Sequence, residues 1–261
     1  MKQRIVTAII ALVALGIVLF VVPDIMARVI IGLLILVGAW EWSGFLGRSG
    51  FMARLSYVAM IGVILVSIPL FFAEYARQIL LIGLVWWFVA LIWTFFFPTR
   101  IPAAIRWLCG FLVLVPLYVA LILLYTADPT ILLFALLIVW VADSGAYFAG
   151  KTMGRVKLAP RISPGKTWEG VIGGLIAVVI LTLARSLWVD TDLTVFIPFC
   201  LAVASLSIVG DLTVSMFKRT AGVKDSGTLF PGHGGVLDRI DSVAAAAPLF
   251  ALGLVQLGLV T

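Results

Sequence analysis

Three carboxylates, four cations, five glycines and the chain's one histidine fall between Ser215 and Asp241, in the segment SMFKRTAGVKDSGTLFPGHGGVLDRID. A fourth carboxylate, Asp211, stands just upstream. Only 11% of the 261 residues are charged, so this one segment concentrates the ionic chemistry of the chain. Asp238 and Asp241 are three apart and share one face of a helix. Asp211 ends the preceding apolar run and meets them across a loop. Three hard oxygen donors beside Lys218, Arg219, Lys224 and Arg239 suit Mg²⁺ bound with a phosphate substrate, because Mg²⁺ takes one or two carboxylates plus phosphate oxygens. The simpler reading is an ion-pair network, for instance Asp238 with Arg239. Against it, each charge near the centre of a membrane helix costs about 2.5–3.5 kcal/mol, and simple pairing does not need three acids there.

Pro231-Gly232-His233-Gly234-Gly235 is a backbone-rich turn that feeds directly into a helix. Glycine lets main-chain N–H groups approach a phosphate, and a helix N-terminus favours an anion. His233 is then either a donor to phosphate, a proton carrier or a structural hydrogen-bonded residue. Ser163-Pro164-Gly165-Lys166-Thr167-Trp168-Glu169 reads as a second helix start, with Ser163 as N-cap and Pro164 in the first turn. Lys166 would stand beside that N-terminus as an anion-binding cation, or the segment is an ordinary interfacial cap. Gly145 to Thr152 fits the G-x-x-x-x-G-K-[ST] pattern. That motif cradles phosphate only between a buried strand and a helix. Here it follows an apolar span, so a nucleotide loop is rejected and Lys151 remains a loop cation. Gly170 and Gly174 form a small-xxx-small pair that permits close helix contact.

The elements that must hold these residues are membrane helices. Hydrophobic residues make up 64% of the chain, and mean hydropathy is +1.24. A spanning helix needs about 20 mostly apolar residues. Nine segments qualify: 5–22, 29–46, 57–73, 79–97, 107–126, 131–149, 170–189, 194–211 and 236–260. The first resembles a signal peptide, but no small-x-small cleavage site follows, so it reads as a retained span. Cys109 and Cys200 lie in apolar runs and read as buried small hydrophobes.

Fifteen of the 18 Lys and Arg residues sort to one side of these spans, leaving Arg28, Arg77 and Arg185 on or near the other. The positive-inside rule then puts the N-terminus in the cytoplasm and the C-terminus outside. The +6 net charge therefore reflects cytoplasmic loops rather than a nucleic-acid partner. Asp143, Asp211, Asp238, Asp241 and Glu41 all fall near the cytoplasmic leaflet, whereas Asp24, Glu74, Asp128, Asp190 and Asp192 read as solvated turn residues. The fold class is all-α and polytopic. Residues 1–130 form a five-span scaffold, and 131–261 form a four-span catalytic region with loops 150–169 and 212–235. Glu41 has no assigned role.

The segment Ser215-x-Phe217-Lys218-Arg219, Lys224-Asp225, then Pro231-x-His233-Gly234-Gly235-Val236-x-Asp238-Arg239-Ile240-Asp241 resembles the C-terminal motif of phosphatidate cytidylyltransferases, without departure across its 27 residues. Asp143-x-x-Ala146-Tyr147 and Ser163-Pro164-x-Lys166-Thr167-Trp168-Glu169-Gly170 are also similar to that family. Gly165 stands where many members carry Lys. The resemblance covers about residues 140–245 and is hydropathic before that. It implies a helical membrane enzyme, dimeric, that makes CDP-diacylglycerol and pyrophosphate from CTP and phosphatidic acid.

On that basis Asp211, Asp238 and Asp241 are the expected Mg²⁺ ligands, with one ion or two. Lys224 and Asp225 join them as catalytic residues. Lys166, Ser163, Lys218, Arg219, His233, Gly234, Gly235, Arg239 and Asp143 are expected to bind substrate. Two rivals share these features: a CTP-dependent lipid kinase, and an ion-coupled transporter using the buried charges as an ion path. The transporter reading expects paired repeats and a midplane site; no repeat is visible and the acids sit at one leaflet.

Overall fold

The computed structural model describes residues 2–47, 50–229 and 234–256. The described residues form nine α-helices and one two-stranded hairpin. The helices are α1 (Lys2–Phe20), α2 (Asp24–Ser43), α3 (Phe51–Phe71), α4 (Ala76–Phe95), α5 (Ala103–Ala127), α6 (Pro129–Met153), α7 (Trp168–Arg185), α8 (Leu193–Thr220) and α9 (Leu237–Gln256). Between α6 and α7 lie β1 (Lys157–Ala159) and β2 (Ser163–Thr167). Seven of the helical segments, those built on α2 through α8, are long and apolar enough to cross a bilayer. The chain is an all-α polytopic membrane protein with one small hairpin.

Long apolar helices satisfy every backbone group internally, which is why such runs fold this way in lipid. Their outward faces carry Ile30, Leu33, Val63, Val85, Phe88 and Ile176, all exposed, as lipid-facing surface requires. The turns opposite the charged loops are capped by their own acids. Asp128 accepts from the Thr130 amide at 2.6 Å, and Asp192 accepts from the Thr194 amide at 2.9 Å. The Thr194 hydroxyl and amide hold the Asp192 carboxyl below its usual range.

α9 is the central helix, packed against α2, α4, α5, α6 and α8. Its run Ala244-Ala245-Ala246-Ala247 is buried on all sides, and the small side chains let five neighbours approach. α6 and α7 form the most extensive helix pair, packed through Gly145, Ala146 and Ala149 against Gly170, Gly173 and Gly174. A Cβ added at Gly145 would lie 2.8 Å from the Ala177 Cβ, and one at Gly173 would overlap the Ala149 Cβ.

Three element boundaries differ from the sequence reading. The segment at Ser163 is not a helix start. Ser163 pairs with Ala159 and Thr167 with Lys157, so 163–167 is an extended strand. Helix α7 begins instead at Trp168, capped by Thr167, whose Oγ1 accepts from the Gly170 amide at 3.2 Å. Helix α6 continues through Met153, so the rejected phosphate-loop pattern is continuous α-helix. Helix α8 does not end at Asp211 but runs to Thr220, which places Ser215, Lys218 and Arg219 on the helix rather than in a loop. No breaker interrupts SMFKRT, and the helix stops where Gly222 takes φ +73°, with the Val223 amide returning to the Lys218 carbonyl at 3.0 Å.

The α6–α7 contact yields a direct test. Gly173→Leu should destabilise the protein by about 1–3 kcal/mol through overpacking, read as a lowered melting temperature in detergent. Gly16→Ala, with nothing within 4 Å of the new Cβ, serves as the matched variant that leaves the melting temperature in place.

Candidate active site

Helices α8 and α9 cross at Gly210, where an added Cβ would collide with the Asp241 carbonyl and approach the Ala245 Cβ at 3.0 Å. This close approach sets Asp211, the next residue, against the first turns of α9. Asp211, Ser215 and Lys218 follow at i, i+4 and i+7, one face of α8. Lys218 Nζ lies 2.7 Å from Asp238 Oδ1 and 3.8 Å from Asp241 Oδ2. Lys218 is only 8% exposed and Asp241 6%, so this is a buried lysine between two carboxylates. The Ser242 amide donates to Asp241 Oδ1 at 2.8 Å.

A second ion pair sits beside the first. Lys166 Nζ, on β2, lies 2.6 Å from Asp211 Oδ2. The Ser215 hydroxyl donates to Asp211 Oδ1 at 3.1 Å. Arg219 Nε donates to the Ile162 carbonyl at 3.2 Å, which fastens the hairpin to α8 and brings Lys166 within reach. Asp143, Lys166 and Asp211 form the polar end of a cleft of about 290 Å³ between α6, α7 and α8. Ala142, Val171, Leu175, Ala204 and Ile208 are among the residues that make its apolar wall. A charged end with an apolar wall is the shape chemistry of an amphiphile carrying an anionic head.

The N-terminus of α9 begins inside the protein, and its amides are claimed by two carboxylates. Asp238 Oδ2 accepts from the Ser226 and Gly235 amides, each at 2.9 Å. Glu41 of α2 accepts from the Val236 amide at 2.9 Å, the Leu237 amide at 2.7 Å and the Ser226 hydroxyl at 2.9 Å. The glycines fit these acids. A Cβ at Gly235 would overlap both Glu41 carboxylate oxygens, and one at Gly227 would overlap Oε1. Gly234 takes φ +80°, a conformation open to glycine. The helix N-terminus does attract an anion, and the anions there are side chains of this chain.

The remaining candidates distribute around this centre. Lys224 and Asp225 are exposed on the segment after α8, and Arg239 is exposed on α9. Asp225 lies near Gly234, whose added Cβ would sit 3.6 Å from the Asp225 Cβ. Ser163 is half-buried in β2, and Asp143 faces the cleft. His233 lies outside the described residues. Among the described residues no three His, Cys, Asp or Glu groups lie close enough to hold a metal. Asp211, Asp238 and Asp241 are instead matched with Lys166 and Lys218. Glu41 and Ser226 are the site residues to which sequence reasoning assigned no role. Glu41's signal was its presence as a lone acid inside an apolar span.

Removing Lys218 leaves two buried carboxylates without a counter-ion. Lys218→Met should cost about 3–5 kcal/mol, the range for breaking a buried pair. Lys224→Met, at an exposed position, should shift stability by less than about 0.5 kcal/mol. Thermal unfolding of both variants in detergent checks the contrast; equal losses would contradict the buried-pair geometry.

The sequence profile of the cytidylyltransferase family matches residues 2–256. Among curated proteins, the chain is 42% identical over 261 residues to a phosphatidate cytidylyltransferase of Pseudomonas aeruginosa, covering 96% of each chain. It is 36% identical over 280 residues to the Haemophilus influenzae protein of the same name, covering 96% of this chain and 97% of that one. A Staphylococcus aureus protein of that name is 50% identical over 127 residues, about half of either chain. With the profile running from residue 2 to residue 256 and the first two relatives aligned over 96% of the chain, this protein belongs to the cytidylyltransferase family.

Proposed function

We propose that this protein is a phosphatidate cytidylyltransferase, converting CTP and phosphatidate to CDP-diacylglycerol and pyrophosphate. The observation that carries the reading is the cleft whose charged end, Lys166, Asp211 and Asp143, continues into an apolar wall. A phosphate head at Lys166 with acyl chains along α6 and α7 fits that division. The relatives bear the same activity in their names.

In the reaction an oxygen of the phosphatidate phosphate bonds to the α-phosphorus of CTP. The bridging bond from that phosphorus to the β-phosphate breaks, and pyrophosphate leaves with the electron pair. A phosphate monoester is anionic at neutral pH, so the nucleophile needs no general base. Positioning and charge neutralisation then carry the catalysis. Lys166 and Lys224 supply cations from two different segments, so they suit different phosphates. Arg219 keeps Lys166 in place through its bond to Ile162.

Mg²⁺ fits the donor chemistry: hard carboxylate oxygens at the α8–α9 crossing, each already matched with a cation. Asp211 and Asp241 would hold it, and Asp238 would be a third ligand only with Lys218 displaced from it. Bound there, the ion would neutralise charge developing on the phosphates. We further assign nine spans with the N-terminus in the cytoplasm and the C-terminus outside, a cytoplasmic-leaflet site in a bacterial inner membrane, and a homodimer. The scaffold is residues 1–130 and the catalytic region 131–261.

Purified protein incubated with phosphatidate and CTP labelled at the α- or γ-phosphorus tests the activity. Alpha label should enter the lipid and γ label should leave as pyrophosphate, with turnover lost in a chelator. Gamma label in the lipid would mean a lipid kinase. No lipid product at all would favour the transporter.

Orientation has its own test. A cysteine placed at Thr191 should react with an impermeant reagent from outside intact cells, and one at Thr220 should not; the reverse pattern would overturn the topology.

A further inference from the structure

The charged segment that carries Asp238 and Asp241 is held from outside itself. Glu41 lies in α2, 6% exposed, and its carboxylate accepts three hydrogen bonds from that segment. Two come from the end that enters α9, the Val236 and Leu237 amides. The third comes from the other end, the Ser226 hydroxyl. One side chain therefore draws together the two ends of the segment between Ser226 and Leu237.

The contacts continue from there. Ser226 gives its hydroxyl to Glu41 and its amide to Asp238 Oδ2. Asp238 takes Lys218 on its other oxygen, and Lys218 reaches on to Asp241. Glu41, Ser226, Asp238, Lys218 and Asp241 form one hydrogen-bonded and ionic chain from α2 through α9 to α8. Both Glu41 oxygens are acceptors in it, so the geometry needs a carboxylate. An amide at this position would turn N–H₂ toward a donor. An aspartate is one methylene shorter. Gly227 and Gly235 lie against the carboxylate so closely that neither tolerates a Cβ.

We propose that Glu41 is a positioning residue for the transfer centre: it touches no substrate and acts by fixing the rotamer and depth of Asp238 and, through Lys218, of Asp241. The proposal rests on the cytidylyl-transfer reading for its kinetic consequence, but not for its structural one. A group that only stabilised the fold would lower the amount of folded enzyme and leave the turnover of each folded molecule unchanged. A positioning group lowers kcat while leaving the KM values for CTP and phosphatidate nearly unchanged.

Glu41→Gln, Glu41→Asp and Ser226→Ala should be compared with the wild-type protein. In folded Glu41→Gln, kcat should fall about tenfold to a hundredfold, the scale expected when catalytic groups are misplaced by about 1 Å. Ser226→Ala should lower kcat in the same direction. The double variant should lose less than the product of the two single losses, because both cut one chain. Independently of activity, amide hydrogen exchange at Val236 and Leu237 should accelerate in Glu41→Gln, while exchange in α5 stays as in the wild type. Should Glu41→Gln fail to fold, Ser226→Ala and Glu41→Asp carry the same kinetic and exchange readouts. The proposal is overturned if kcat per folded molecule stays within about twofold of wild type, if the loss appears only in KM, or if exchange at Val236 and Leu237 is unchanged. A wild-type protein that makes no CDP-diacylglycerol would remove the functional reading alone, leaving the exchange result to decide whether Glu41 holds the segment.

Discussion

Helix α9 starts inside the protein, and a buried helix N-terminus presents amides that must find acceptors. Water is not the partner here, because Val236 and Leu237 are buried. Glu41 and Asp238 supply the acceptors, and much of the local architecture answers to that requirement. The acids need close access to backbone, so glycine stands at 227, 234 and 235. Asp238 in turn needs a counter-ion at depth, and Lys218 provides it from α8. Lys218 reaches α9 because Gly210 lets the two helices approach backbone to backbone at Asp241.

This arrangement gives α9 two roles in one sequence. Its first two turns hold Asp238 and Asp241, and its alanine run fills the centre of the bundle among five other helices. A carboxylate set anchored to the most enclosed helix is held by packing on every side, which suits the proposed transfer chemistry, where positioning does most of the work. The cleft beside it is built differently. It is bounded by α6 and α7, which share a seam of glycine and alanine, and it is closed at its polar end by a hairpin fastened through Arg219. An amphiphile entering there would meet Lys166 at the boundary between the apolar wall and the acids.

Hydropathy made the helices legible. Among the described residues each of the nine apolar runs carries a helix, because long uninterrupted apolar sequence has one stable backbone solution in lipid. The boundaries were less legible where polar residues continue a helix. Asp211, Ser215 and Lys218 lie on α8 because nothing in the segment breaks the helix before Gly222, and only the packing of α8 on α9 shows that their shared face is enclosed. Ser163-Pro164 satisfied the local pattern of a helix cap, yet pairing with 157–159 decided its conformation. Asp211, Asp238, Asp241, Lys218 and Lys166 were legible as a group from their density. Their partners were not: spacing alone directs the acids toward one another, and each is instead matched with a lysine. Glu41 was visible as a lone buried acid, but its bonds span 185 to 196 residues of sequence, beyond any local pattern.

Under the proposed function, the lysines are resting counter-ions of acids that would serve the substrates' phosphates and their cation. The most direct measurement is an experimental structure with a non-hydrolysable CTP analogue and Mg²⁺. The nucleotide's phosphates and the ion should lie beside Asp211 and Asp241, with Lys166 withdrawn from Asp211 to a phosphate oxygen. A nucleotide bound away from the α8–α9 crossing, with the Lys166–Asp211 and Lys218–Asp238 pairs intact, would contradict it.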